Sequence, residues 1–164
     1  MHQRANEKDS AQQQNTDQTQ QNQGTQSNGN AHFEYFTTQQ KMYKFDDQGN
    51  YTLVGAGYSG KGEGLNNPFQ QAMPGAPGKA DAGPIPSGNY TVGTMFDNKG
   101  KTGPGSMRLT PDAGNDMHGR SGFLIHGDNS KHNFSASEGC IILPRGARDA
   151  ISSSGITRLE VYTW

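Results

Sequence analysis

Residues 123–143 read FLIHGDNSKHNFSASEGCIIL, with two short apolar segments on either side of a polar connection. The segments, Phe123 to His126 and Cys140 to Leu143, have the apolar and β-branched character typical of strands. A glycine lies beside both the histidine and the cysteine, where it lets another backbone or a ligand approach closely. The connection has only 13 residues. We therefore expect His126 and Cys140 to meet at the ends of neighbouring strands.

A cysteine next to a histidine has the residue types that nucleophilic catalysis requires. The thiolate is the nucleophile, and a free cysteine with a pKa of about 8.5 is mostly protonated at neutral pH. An imidazole removes that proton, and a carbonyl or carboxylate on its other nitrogen fixes the tautomer. The spacing of Cys140 and His126 also fits a structural role, because most lone cysteines are small buried hydrophobic residues.

The rest of the chain from residue 33 onward predicts a mainly β fold. Short aromatic and β-branched segments alternate with Gly, Pro, Asn and Asp, as in chains of many short strands. One helix is predicted from Pro144 to Ser153, with proline at its start and Gly155 beyond its end. The other predicted strands are Met42–Phe45 and Tyr51–Val54, which form a hairpin, and Gly88–Thr94, Met107–Thr110 and Arg158–Tyr162.

Two further stretches are predicted to be loops. Residues 55–64 contain five glycines but lack the Gly-Lys-Ser/Thr ending of a phosphate-binding loop. We expect them to form a surface loop with positive φ angles. Residues 66–83 contain three prolines and predict a long irregular segment, of the kind that often forms a binding lid.

The composition divides the chain and excludes several classes of protein. Residues 1–32 contain no Val, Ile, Leu, Phe, Tyr or Trp, so we expect a disordered Gln/Asn-rich tail before a domain at 33–164. The chain has no apolar run of the roughly 20 residues that cross a bilayer, and no hydrophobic stretch of a secretory signal. One cysteine excludes an intramolecular disulfide. With 14 basic and 15 acidic residues, no charge footprint for nucleic acid or an anionic membrane is present.

Four segments carry a family resemblance. They are GYSGKGEGLNNP (57–68), AGPIPSGNYTVG (82–93), GRSGFLIHGDN (119–129) and SEGCIIL (137–143). In this order they resemble the peptidoglycan-targeting L,D-transpeptidase-like effectors of bacterial type VI secretion systems, over about residues 33 to 164. The resemblance implies a mainly β, L,D-transpeptidase-like β-sandwich with long loops and one short helix.

The resemblance also implies roles for particular residues. Cys140 is the nucleophile and His126 the general base, the carbonyl of Gly127 orients His126, and the N–H groups of Gly139 and Cys140 form the oxyanion hole. The expected substrate-binding residues are Tyr58, Ser59, His118, Arg120, Asp128 and Ser137. For Ser137 a turn role is an alternative, and for Arg120 a salt bridge to Asp116 or Asp128. The sequence departs from the wider superfamily at Glu138, where a histidine is usual, and at Ile142, where a polar residue is common.

The function implied by the resemblance is an antibacterial L,D-carboxypeptidase. Such an enzyme cleaves the peptidoglycan stem tetrapeptide between the diamino acid at position 3 and D-Ala at position 4, and exchange of D-Ala for another D-amino acid is the alternative outcome. The implied partners are stem peptides and a cognate periplasmic immunity protein. The tail at residues 1–32 lies outside the resemblance; its composition favours a solvated spacer, and contact with a component of the secretion system is the alternative. The resemblance implies secretion without a signal peptide, action in the target-cell periplasm and no membrane insertion; no cofactor and no metal are expected.

The same residues also allow other functional interpretations. A metal-binding module would use His118, His126, His132 and Cys140, although these lack the closely paired ligands of most structural zinc sites. A non-catalytic cell-wall-binding domain is a further alternative. A papain-like peptidase fits poorly, because in that family the cysteine precedes the histidine in the chain.

Overall fold

The computed structural model describes residues 29–164, so residues 1–28 of the predicted tail lie outside the described residues. In the described part the chain forms ten strands and one α-helix. The strands are β1 (His32–Phe36), β2 (Lys41–Phe45), β3 (Tyr51–Ala56), β4 (Tyr58–Ser59), β5 (Gly88–Val92), β6 (Phe96–Asn98), β7 (Gly103–Pro111), β8 (Leu124–His126), β9 (Ile141–Ile142) and β10 (Arg158–Tyr162), and the helix is α1 (Arg145–Ser153). That helix is too short and too polar to cross a membrane.

The mainly β class with one short helix is confirmed. The predicted hairpin is present as β2 and β3, and α1 and β10 lie where the sequence predicts them. The sequence patterns do not predict β1, β4 or β6. The first of these begins at His32, inside the stretch assigned to the tail, and β4 has only two residues. In β6, Asp97 and Asn98 are residue types depleted in strands.

The strands form one hydrogen-bonded path that curves back on itself. Their order is β3-β2-β1-β10-β5-β7-β8-β9-β4, and β6 pairs with β7 outside this path. β3 and β4 lie at opposite ends of the order, yet a single residue, Gly57, separates them in sequence. The two ends of the sheet must therefore approach each other.

Gly57 is the point where the two ends meet. Its N–H donates to the carbonyl of Gln40, 3.0 Å away, beside β2. A Cβ atom on Gly57 would lie 1.7 Å from the carbonyl oxygen of Ile142 in β9. Only a residue without a side chain fits between these two backbones.

One hydrophobic core lies inside the curved sheet. It combines Tyr35 of β1, Ile125 of β8, Ile141 of β9 and Ile151 of α1, all of which are almost fully buried. Residues from both halves of the strand order thus share the core, as in a sandwich. Because side chains alternate along a strand, the neighbours of Ile125 in β8 face the other side of the sheet.

Replacing Gly57 with alanine tests the closure of the sheet. The new Cβ overlaps the Ile142 carbonyl, so the backbones must separate, and we expect a loss of about 1–3 kcal/mol in the free energy of unfolding. Urea denaturation measures this loss. The control is Gly146→Ala, at an exposed helical position with nothing within 4 Å of the new Cβ. This control should gain about 0.5–1 kcal/mol from helix propensity. A Gly57→Ala variant as stable as the parent would contradict the close packing of the two ends.

Candidate active site

A cavity of about 990 Å³ lies at the ends of β8 and β9. The residues that line it come from four stretches of chain, within 74–77, 98–108, 119–129 and 135–140. Both His126 and Cys140 are on its wall. The predicted long irregular segment, 66–83, therefore contributes one edge of the cavity through its prolines at 74 and 77.

The parallel pairing of β8 with β9 brings the histidine and the cysteine together. Ile125 is paired with Ile141 and His126 with Ile142, and the N–H of Leu143 donates to the His126 carbonyl over 3.0 Å. One residue earlier, the same register sets Cys140 beside Leu124. Cys140 is thus level with the residue two positions before His126 in β8, and both side chains project from the same face of the sheet. An aromatic side chain spans this separation.

Cys140 is half-buried, and its sulfur is held by the backbone. The N–H of Leu124 donates to Sγ over 3.3 Å. Burial raises the pKa of Cys140 to about 11, with a further rise from the charge of Glu138, and the Leu124 N–H and the Arg120 charge oppose this only in part. The resting group is therefore a thiol at neutral pH, and it needs a base before it can attack.

His126 is buried at the end of β8, and its tautomer follows from one contact. Its Nδ1 lies 2.8 Å from the carbonyl oxygen of Gly127, which can only accept, so Nδ1 carries the hydrogen. Nε2 is then the unprotonated nitrogen. Burial lowers the pKa of His126 and so does the charge of Arg148, whereas the Gly127 carbonyl and Asp128 raise it in part. A neutral imidazole at neutral pH is able to accept a proton.

Two buried serine hydroxyls hold the loop that carries the cysteine. Ser137 Oγ donates to the carbonyl of Cys140 over 2.6 Å and accepts from the N–H groups of Gly60 and Gly139 at 2.8 and 3.1 Å. Ser59 Oγ donates to the Gly139 carbonyl over 3.0 Å. Neither serine lines the cavity. Both therefore lie behind the loop, where they fix its backbone.

Gly139 occupies a position that only glycine fits. Its φ is +131°, and an added Cβ would lie 2.6 Å from both Arg120 Nη2 and Phe123 Cε1. Its N–H is directed at Ser137 Oγ and not at the cavity. The Cys140 N–H takes no part in the β8–β9 ladder, whose first bridge joins Ile125 and Ile141. Of the two expected oxyanion donors, the Gly139 N–H is therefore engaged within the loop, which leaves the Cys140 N–H as the candidate.

Arg120 lines the cavity, but its guanidinium N–H groups are hydrogen-bonded to backbone carbonyls. Its two Nη atoms donate to four carbonyl oxygens, at distances of 2.6 to 3.2 Å; these belong to Gln71, Gly83, Pro84 and Glu138. The guanidinium also lies over the ring of Phe123, and burial lowers its pKa. The partners of Arg120 are thus carbonyls, and not Asp116 or Asp128 as in the salt-bridge alternative. Arg120 thereby ties the loop of Cys140 to the irregular segment.

The remaining expected substrate contacts divide between the cavity wall and its surroundings. Asp128 lines the cavity, and Tyr58 does not. The hydroxyl of Tyr58 donates to Asp128 Oδ1 over 2.7 Å and accepts from the N–H of Ala136, so Tyr58 supports the carboxylate from behind. His118 is also outside the lining, with its Nδ1 3.6 Å from Asp116 Oδ1.

The glycine-rich segment 55–64 is not the surface loop that its composition predicts. Tyr58 and Ser59 form β4, which pairs antiparallel with β9, and both are almost fully buried. Gly60, with φ +85°, packs so closely that an added Cβ would lie 2.4 Å from the Gly64 carbonyl. The glycines let this segment run beneath the loop of Cys140, so the prediction of a surface loop is wrong at residues 58–60.

Arg148 is a site residue that the sequence patterns do not identify. It is buried in α1, and its Nε donates to the carbonyl of Leu143 over 2.9 Å. A Cβ on Gly127 would lie 2.6 Å from Arg148 Nη2, so the guanidinium lies against the residue that orients His126. One feature of the sequence could have identified Arg148: it follows Ala147 on the apolar side of the predicted helix.

The geometry also bears on the metal-binding alternative. Among residues 29–164, one group of three metal-ligating side chains has its ligand atoms within 4.8 Å of one another: His32, Glu34 and Glu160, on β1 and β10. None of these lines the cavity. The four residues of the metal-binding alternative do not form such a group in the described part of the chain.

Comparisons with known proteins place the fold. No curated protein matches the chain. A structure of Bdellovibrio bacteriovorus Bd1075 is similar over 80% of this chain, with a TM-score of 0.51 and 13% sequence identity. The chain spans 47% of the length of that protein chain. A likeness at this identity shows a shared fold.

A family model covers most of the described domain. The model of the Tlde1 domain matches residues 53–160, which include β8, β9 and the loop that carries Cys140. The match spans about two thirds of the chain and agrees with the resemblance to type VI secretion effectors. The chain belongs to the Tlde1 domain family, a family of type VI secretion antibacterial effectors.

Proposed function

We propose that the protein is a cysteine L,D-carboxypeptidase that removes D-Ala from the stem tetrapeptide of peptidoglycan. The scissile bond joins the diamino acid at position 3 to D-Ala at position 4. One observation carries the proposal: a thiol and a neutral imidazole with a defined tautomer lie on one face of adjacent strands, in one cavity. The family supplies the peptidoglycan target.

The acylation step follows from the protonation states of the pair. Nε2 of His126 takes the Cys140 proton while Sγ attacks the carbonyl carbon at position 3. The Cys140 N–H is the proposed donor to the developing oxyanion. The C–N bond then breaks, and the imidazolium of His126 returns its proton to the leaving amine. D-Ala departs, and the tripeptide remains as a thioester on Cys140.

The thioester is resolved by one of two nucleophiles. Water, deprotonated by His126, attacks the carbonyl and releases the tripeptide with a new carboxylate. The amine of a free D-amino acid attacks in the same way and produces an exchanged tetrapeptide. In both cases Sγ leaves as the thiolate and recovers its proton from His126, so the enzyme returns to its starting state.

Membership of the family implies secretion into target cells. We propose that this chain acts in the periplasm of the target cell. A cognate periplasmic immunity protein would block the enzyme most directly by covering the cavity around Cys140. Residues 1–32 are the proposed contact with a component of the secretion system.

Substituting the nucleophile gives the main test. Cys140→Ala removes the sulfur that forms the thioester, so D-Ala release from purified tetrapeptide should fall at least 1000-fold, within the range known for catalytic nucleophiles. Mass spectrometry of the muropeptides measures the release. His132→Asn is the control, because it changes an exposed imidazole of the same connection at a positive φ that asparagine tolerates. Undiminished release by Cys140→Ala would contradict the proposal, and retained binding to sacculi without turnover by the parent would favour the cell-wall-binding alternative.

The pH dependence of kcat/KM reports on His126. Because burial lowers its pKa below the ordinary 6.5, the imidazole stays neutral and able to accept a proton down to lower pH. Activity should therefore be lost only below pH 6.5, as protonation of His126 removes the base. A series of D-Ala release rates from pH 4.5 to 9 measures this limb. An acidic limb above pH 6.5 would contradict a lowered pKa of His126.

Ser137→Ala separates a positioning role from substrate binding. The variant leaves two N–H groups and one carbonyl of the loop without their partner, so we expect a loss of about 1–3 kcal/mol in stability. Since Ser137 lies outside the cavity lining, kcat should fall while KM changes little. Ser152→Ala, at an exposed helical serine, is the control and should leave both constants unchanged. A raised KM with unchanged kcat would instead assign Ser137 to substrate binding.

A further inference from the structure

A second cavity arginine lies in the same row as the nucleophile. Arg108 of β7 is the register partner of Leu124, and Leu124 donates its N–H to Cys140 Sγ. Arg108, Leu124 and Cys140 therefore form one row across three adjacent strands. At about 4.8 Å per strand, the backbones of Arg108 and Cys140 are roughly 10 Å apart.

The side chain of Arg108 faces the cavity. Its neighbours in β7, Met107 and Leu109, are buried in the core, so alternation along the strand directs Arg108 to the opposite side. Arg108 is exposed and lines the cavity together with Cys140 and His126. The residue is thus part of the surface that a bound peptide would meet.

The guanidinium of Arg108 is held against an aromatic ring, and its N–H groups have no hydrogen-bond partner among the described residues. It lies over the ring of Phe96 in the neighbouring strand β6, 4.9 Å from the ring centroid. Such stacking uses the face of the guanidinium and leaves the N–H groups at its edge. Within residues 29–164, no hydrogen bond or ion pair to the Arg108 side chain is found. Arg120 differs, because both of its Nη atoms are engaged by carbonyls.

We infer that Arg108 binds the C-terminal carboxylate of the stem peptide and so makes the enzyme specific for a peptide that ends in a free D-amino acid. This inference rests on the proposed function. In the leaving residue, the carboxylate carbon lies only about 3–4 Å from the scissile carbonyl carbon. With that carbonyl at Cys140, a residue that extends along the row directs its carboxylate toward Arg108, and the long arginine side chain spans the remaining distance.

A guanidinium is well suited to binding the C-terminal carboxylate of a peptide. A guanidinium binds a carboxylate through two parallel N–H···O hydrogen bonds, which select a planar charged group over a neutral amide. Lys101, at the turn before β7, lines the same side of the cavity and adds positive charge there. Arg120 was also expected to bind substrate, but its carbonyl contacts make that residue a clamp of the site.

The test compares two substrates, the stem tetrapeptide with a free C-terminal carboxylate and the same peptide as its C-terminal amide. The parent enzyme should cleave the carboxylate form with a kcat/KM about 10- to 100-fold higher than the amide. Arg108→Gln should remove that preference by raising KM for the carboxylate form, with the amide little affected. Arg108→Lys should restore part of it. Arg158→Gln, at an arginine paired with Asp112 outside the cavity, is the matched control.

A binding measurement separates this inference from the proposed reaction. Calorimetry on Cys140→Ala, with and without Arg108→Gln, should show weaker binding of the carboxylate peptide only in the double variant. If the parent releases D-Ala but Arg108→Gln lowers kcat/KM equally for both peptides, the inference is overturned and the proposed function stands. If the parent releases no D-Ala yet binds the carboxylate peptide through Arg108, the proposed function fails and the inference stands. Equal binding of both peptides to both variants overturns the inference.

Discussion

The parallel pairing of β8 with β9 is the constraint on which the site depends. These strands have three and two residues, so they contribute little stability alone, and neighbours on both sides support them. β7 pairs with β8, and β4 pairs with β9. The approach of the two ends of the sheet at Gly57 supplies that second neighbour, and the position of Cys140 therefore depends on the closure of the whole sheet.

The buried polar side chains around this pairing are hydrogen-bonded to the protein backbone. Ser59 and Ser137 bond to the loop of Cys140, while Arg120 and Arg148 donate to carbonyls. A buried guanidinium is costly unless its hydrogens find acceptors, and carbonyls at the ends of short strands need donors. Burial keeps the thiol and the imidazole neutral. Arg108, which has no such carbonyl partners among the described residues, is a cavity cation with open donors.

Sequence patterns predicted the parts of this architecture that depend on local rules. The hairpin of β2 and β3 follows from turn residues between apolar segments, and α1 follows from its proline and glycine boundaries. They did not predict β4, because glycine composition indicates a loop whatever packs against it. The proximity of Ser59 and Ser137 to the site was predicted from the resemblance, but their place behind the loop depends on contacts between residues 77 or more positions apart.

The sequence by itself determined the mainly β class, the helix and the candidate pair of His126 and Cys140, because strand patterns, caps and reactive residue types are visible in short windows. Only the tertiary structure decided which arginine clamps the backbone and which keeps its donors free. Arg108 and Arg120 are the same residue type in the same cavity, and their difference lies in the long-range carbonyls that surround each guanidinium. Such partners are set by how distant strands pack, and no local pattern records them.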